Sequence, residues 1–392
     1  MNSLDRYKAV FSVPGMARTF WISMLGRLPI GITGLAILLL MQGASASFAQ
    51  GGAAAAYYVG GLALVAPLLG RMIDRHGPRA VLLLCALAFP AALAALIFAS
   101  ANRELAWLAF GAAAAAGACF PPITVCMRTY FRQVLRDEAL LAAAFSAESV
   151  MIEIIFIIGP LAVALLIAFV NAAAAVMFAA ACGFAGTLLF LRSPALQAWR
   201  IERRVSRGLL GPLAERSFVH LVAIVLCFAS AFGFLEIGIT GYALVRGDAA
   251  FAGVLLGIMS AGSALGGIAY GSRAWHFPLA RQFAAALALT AIGLAVLALR
   301  WQPWALAAWC LFAGVAIAPA LIIQSMLVTK AARPEHATEA FTWTTSALLA
   351  GVGIGLAAGG ALLERFPPGA ALAAGAAVSL AAGAAARWVL GR

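Results

Sequence analysis

Charge is scarce in this sequence. Asp, Glu, Lys and Arg make up only 10% of its 392 residues, while 65% are hydrophobic and the mean hydropathy is +1.02. One soluble core cannot hide that much apolar surface, so a membrane must cover it. The six cysteines include no Cys-x-x-Cys pair and the four histidines share no metal-ligand spacing. Neither a disulfide framework nor a metal centre is expected. A Gly-rich loop followed by Lys-Ser or Lys-Thr is also missing, which disfavours an ATP-driven pump, and no cofactor is expected. No nucleophile with a base can be assembled from the apolar runs, so an enzyme is not expected.

What is present is a series of long Ala/Leu/Gly-rich runs without the period-two alternation of outer-membrane strands. A helix crossing about 30 Å of hydrocarbon needs roughly 20 apolar residues, which fits about twelve spans into this length. The runs predict spans over 19–41, 52–69, 80–99, 105–127, 140–169, 172–191, 218–244, 251–270, 282–299, 304–328, 338–362 and 369–389. The first is too long, and lacks a small-residue cleavage site, to be a removed signal peptide. The bases outnumber the acids, 26 to 14, which could suggest nucleic acid, but their distribution argues otherwise. With the N-terminus inside, only Arg103, Arg246, Arg300 and Arg365 fall in outer loops, and the positive-inside bias places both termini in the cytoplasm. The expected setting is the inner (cytoplasmic) membrane, with the bilayer as partner and no nucleic acid.

Between the second and third spans stands Gly70-Arg71-Met72-Ile73-Asp74-Arg75-His76-Gly77-Pro78-Arg79. Gly70, Asp74, Arg75, Gly77 and Arg79 match the signature of the loop between helices 2 and 3 in the major facilitator superfamily, and the whole chain resembles a secondary transporter of that family. Span 5 adds Gly159-Pro160, where the proton-coupled exporters of the family carry a Gly-Pro. Leu161 and Ala162 follow in place of the further glycines of that pattern. Span 4 also lacks the mid-helix Arg of many drug exporters. The resemblance implies an all-α membrane protein of twelve helices in two pseudo-symmetric six-helix bundles. These would be residues 1–191 and 218–392, joined by a cytoplasmic linker over 192–217, around a central cavity lined by helices 1, 4, 7 and 10.

Internal similarity supports two halves. Gly26–Gly34 aligns without gaps onto Gly233–Gly241 with seven of nine positions identical. Gly117 and Pro122 match Gly314 and Pro319, and Phe145 and Gly159 match Phe341 and Gly355. In this register Arg27 and Glu236 are near-equivalent, and Asp74 aligns with Gly271.

A charge at mid-bilayer costs about 2.5–3.5 kcal/mol on insertion scales, so each one needs a partner, water or a task. Four residues qualify: Arg27, Glu148, Glu153 and Glu236. Glu148 lies roughly 12 Å and Glu153 roughly 20 Å into span 5, about 140° apart around the helix, so they cannot form one paired-carboxylate site. Glu153 can be a proton carrier, a static partner of a buried base such as Arg27, or a substrate contact. Arg128, with Arg132 and Arg136, sits at the cytoplasmic end of span 4 and is expected to reach Asp74. By resemblance, Asp74 is expected to latch the cytoplasmic side by docking on the start of span 11 near Thr338.

The reading is a monomeric transporter that moves a small organic solute by alternating access, with proton-coupled efflux as the leading form. Proton-coupled uptake of a metabolite, or a sensor or scaffold on the same fold, remain alternatives. Retention of costly intramembrane acids argues against a scaffold.

Overall fold

The computed structural model describes residues 3–45, 48–102, 105–197, 199, 211–245, 249–299 and 302–390. Among them the chain is helical, with no strand. Twelve segments are long and apolar enough to cross a bilayer: Met16–Ser45, Gln50–His76, Pro78–Ala101, Trp107–Val134, Glu138–Phe169, Ala172–Leu191, Arg216–Ala243, Phe251–Gly271, Leu279–Leu297, Pro303–Ala331, Pro334–Leu363 and Pro368–Val389. These are spans 1 to 12. A shorter helix, Ser3–Ser12, precedes them.

The predicted loop over 70–79 is mostly helix. Span 2 continues to His76, and the reversal is made by Gly77 at φ 83° with Pro78 opening span 3. Hydropathy ended the span at residue 69 because the last turns carry Arg71, Asp74 and Arg75, yet backbone hydrogen bonding does not require apolar side chains. Spans 1, 4 and 10 are each interrupted, between Arg27 and Pro29, Ala118 and Ile123, and Gly314 and Ile317. At the first two breaks, Pro29 and the pair Pro121-Pro122 lack the N–H that a continuous helix needs.

Close helix contacts recur in the two halves. A Cβ on Gly117 would meet the carbonyl of Tyr58, and one on Gly61 that of Ala114; in the second half Gly314 backs onto Met259 and Gly262 onto Leu311. The same contacts correct the sequence register. Gly159 packs on Gly31, whereas its counterpart Gly355 packs on Gly233. In that register Arg27 falls opposite Ala229 and Glu236 opposite Gly34, so the two charges are not equivalent. The gapless match of spans 1 and 7 arises because Gly and Ile recur at short intervals in both helices. Likewise Gly70 lies against Thr342 and Gly271 against Ser146. Gly70, not Asp74, therefore matches Gly271, and Trp275 occupies the place of Asp74.

Three apolar clusters place the core. One joins both halves at the end where spans 2 and 3 meet, and includes Ile73, Phe131, Phe145, Phe228, Ile323 and Phe341. We call this the basic end. Toward the opposite end each half has its own cluster, around Ile37 and Phe89 in the first and around Ile239 and Leu294 in the second. The halves are thus sealed together at the basic end and packed separately at the other.

Of the linker, Arg200, Glu202, Arg203, Arg204 and Arg207 lie outside the described residues, as do Arg103, Arg246 and Arg300 of the predicted outer loops. Glu215, near the start of span 7, pairs with Arg333 at 2.6 Å.

Candidate functional site

The seal at the basic end is polar as well as apolar. Asp74, in the last turn of span 2, accepts hydrogen bonds from the backbone N–H groups of Thr338 at 3.0 Å and Glu339 at 2.8 Å. These belong to the first turn of the helix Ala337–Leu363, whose initial N–H groups have no partner inside the helix. One turn earlier, Arg71 clasps the Glu339 carboxylate through Nε at 3.0 Å and a terminal nitrogen at 2.6 Å. Gly70 lets the two helices approach, since a Cβ there would meet the Thr342 hydroxyl and the backbone of Glu339. Thr129 Oγ1 lies 3.2 Å from Thr338 Oγ1, and Arg132 donates to the Ala332 carbonyl at 2.6 Å. Arg75 and Arg79 are exposed, and Arg79 lines a surface hollow with Arg192.

On the pseudo-symmetric side Trp275 stands where Asp74 does in the first half, and a tyrosine takes part in the seal. The hydroxyl of Tyr7, from the N-terminal helix, lies 2.8 Å from Ser146 Oγ and 3.1 Å from the Ile268 carbonyl. Ser146 itself donates to the Gly267 carbonyl at 2.7 Å. Burial pushes the Tyr7 phenol above its ordinary value, and the Ser146 bond opposes this; the group stays protonated and able to donate. Neither Tyr7 nor Glu339 stood out in the sequence. Glu339 lies two residues inside the predicted eleventh span and could have been counted among the costly acids; an isolated Tyr in a surface helix carries no such signal.

Deeper in the first half, Arg27 binds Glu148 at 3.0 Å, with both side chains almost fully buried. Arg128 Nε completes the group on the other oxygen of Glu148, also at 3.0 Å. Two expectations are corrected here. Arg27 pairs with Glu148, not with Glu153, and Arg128 reaches Glu148, not Asp74. The proline break in span 4 redirects its second segment, Ile123–Val134, so that Arg128 faces span 5. The group carries two positive charges and one negative, and Arg27 Nε and Nη1 are buried without a hydrogen-bond partner.

Glu153 faces the other half. Its half-buried carboxyl lies near Ser260 and Ser263 in span 8, and Ser263 Oγ is itself buried without a hydrogen-bond partner. Glu236 is exposed in span 7. Among the described residues neither forms an ion pair. Gly159 and Pro160 follow Glu153 by two turns: Gly159 is buried against Gly31, and Pro160 sits exposed inside an unbroken helix.

The sequence profile of the Major Facilitator Superfamily matches residues 19–278. The chain belongs to this superfamily. Its fold is shared by solved transporters at low identity. A bacterial homologue of the iron transporter ferroportin, in an outward-facing state, has 13% identity and a TM-score of 0.79, over 96% of this chain and 99% of that one. The Escherichia coli fucose:proton symporter FucP has 13% identity and a TM-score of 0.74, over 95% and 98%. The human organic anion transporter TETRAN has 16% identity and a TM-score of 0.72, over 94% and 99%. No curated protein matches the sequence. As a superfamily member with twelve apolar spans, the chain is a multi-pass membrane protein with a transporter fold.

Proposed function

We propose that this protein is a secondary transporter that moves a small organic solute by alternating access, and that the structure corresponds to its outward-open state. The basic end is cytoplasmic on this reading, because the loops there hold most of the Lys and Arg. The observation that carries it is the one-sided seal: Asp74, Arg71 and Tyr7 tie the halves together at the basic end, while separate apolar cores pack each half at the other. A static scaffold has no need of such an asymmetry.

Glu153 is the proposed proton carrier. It is an intramembrane acid without an ion-pair partner among the described residues, and it sits where spans 5 and 8 of opposite halves meet. A charged carboxylate there is expensive, so its protonation couples naturally to movement of one half against the other. Glu148 is already neutralised by two arginines and is assigned a structural role. Efflux in exchange for protons remains the leading direction. Uptake is the second reading, favoured by the departure of Leu161 and Ala162 from the exporter pattern.

The test is proton movement in proteoliposomes loaded with the pH-sensitive dye pyranine and challenged with a panel of lipophilic cations, sugars and carboxylates. A solute-dependent pH change that disappears in Glu153→Gln supports coupling through this residue. A panel member transported by counterflow with no pH change, in wild type and variant alike, refutes it.

A further inference from the structure

The second half contains an apolar cavity. It has a volume of about 490 Å³ and lies between spans 8 and 9, floored by the break in span 10 at Val315 and Ala316. That volume falls within the usual range of ligand pockets, about 300–1,000 Å³. Its deep wall is apolar, formed by buried residues such as Ala286, Ala316 and Ile323. Ala269, Ala285 and Leu289 are exposed, and the neighbouring Leu265 and Ile292 are exposed as well, at 58% and 60%, so the opening faces the hydrocarbon outside the bundle.

The mouth has a different chemistry. Arg273, just beyond the end of span 8, and Arg281, in the first turn of span 9, both line it and are both exposed. None of the lining residues is acidic. Of the acids nearby, Glu138 is bound to Lys330 at 2.7 Å and Asp137 caps the start of span 5. A base in the first turn of a helix opposes the helix dipole, so Arg281 is not there for the benefit of its own helix. The mouth is also fixed in place. Trp275 stacks on Tyr270 with ring centres 5.3 Å apart and donates its indole N–H to the Tyr270 carbonyl at 3.0 Å, while the Tyr270 hydroxyl donates to Gln282 at 2.5 Å. These rings and Phe277 stand at the junction of spans 8 and 9, the kind of span end at which amphipathic aromatic residues favour the headgroup level.

We infer that this groove binds one anionic glycerophospholipid from the leaflet at the basic end, with a phosphate between Arg273 and Arg281 and an acyl chain along Ala285, Leu289 and Ile323. Charge complementarity selects the headgroup, and the depth and apolarity of the groove select a chain-bearing molecule over a free anion. Each arginine near a membrane surface contributes about 1 kcal/mol toward an anionic lipid, or roughly fivefold in affinity.

The full-length protein in a neutral detergent, exposed to an equal mixture of dioleoyl phosphatidylglycerol and dioleoyl phosphatidylcholine, allows bound lipid to be counted by native mass spectrometry. The wild type is expected to retain the glycerol lipid at least fivefold over the choline lipid in its first adduct. Arg273→Gln/Arg281→Gln should bring that ratio close to one, and Ala285→Trp, which fills the groove, should reduce the first adduct of both lipids. Arg216→Gln/Arg387→Gln, two exposed arginines elsewhere at the same end, should leave the ratio unchanged. Because the altered side chains are exposed, folding is checked by gel filtration. Equal retention of both lipids by wild type overturns the inference, as does a preference that survives Arg273→Gln/Arg281→Gln. Displacement of the bound lipid by glycerol phosphate at equal concentration would identify a free-anion site and also overturn it.

Discussion

Arg27 and Glu148 form an ion pair at 3.0 Å inside the first half, with side-chain exposures of 1% and 2%. Such a pair adds little net stability, because desolvation of both charges offsets their attraction, but removing one partner leaves a buried charge uncompensated. Glu148→Gln strands two arginines and should cost about 3–5 kcal/mol in unfolding free energy. Arg27→Met should be harmful too, while Arg27→Met/Glu148→Leu should recover much of the loss. Thermal unfolding in detergent gives the cycle. A coupling above about 1 kcal/mol is expected for Arg27 with Glu148, and additivity within about 0.5 kcal/mol for Arg27 with Glu153. Additivity in the first cycle contradicts the pairing.

Glu153→Gln keeps the size of the side chain beside Ser260 and Ser263 and cannot titrate. Flux driven by a proton gradient should be lost, while solute counterflow without a gradient continues. Full gradient-driven flux in this variant removes Glu153 as carrier and passes the role to the exposed Glu236.

Tyr7→Phe deletes the hydroxyl that reaches Ser146 and the Ile268 carbonyl, and leaves the bond from Ser146 to Gly267 intact. A typical hydrogen bond contributes about 0.5–1.5 kcal/mol, so the closed basic end should lose about two- to twelvefold in its equilibrium. Accessibility of a single cysteine placed at Ala144, buried at the seal, should rise from the basic side by that factor. No change places Tyr7 outside the seal.

The spans and the two-half plan were legible in the sequence because hydropathy and the placement of bases are local properties. Side-chain partners were not. Asp74 could be placed near Thr338 by resemblance, but the partner of Arg27 depends on how spans 1, 4 and 5 rotate against one another, and the break at Pro121-Pro122 that turns Arg128 toward Glu148 leaves no mark in hydropathy. The register between halves misled for a physical reason: small residues recur at helical spacing in every span, so a high local match between Gly26–Gly34 and Gly233–Gly241 does not report shared contacts. Gly31 against Gly159 and Gly233 against Gly355 do. Gly271 packs against Ser146 and Tyr7, so a side chain there should disturb the second half of the seal.

Docking of Asp74 on the first turn of span 11 is the contact on which the proposed closed basic end chiefly rests. Asp74→Asn removes the charge while one amide oxygen can still accept from Thr338 or Glu339. The loss should be about 0.3–1 kcal/mol, the usual worth of an acid at a helix N-terminus, and up to about 2 kcal/mol when partly buried. In inside-out membrane vesicles, a membrane-impermeant maleimide should label a cysteine at Ala144 faster in Asp74→Asn than in the parent, by about two- to thirtyfold, while labelling of a cavity cysteine from the opposite side falls. Equal labelling in a well-folded Asp74→Asn, on both sides, contradicts the account.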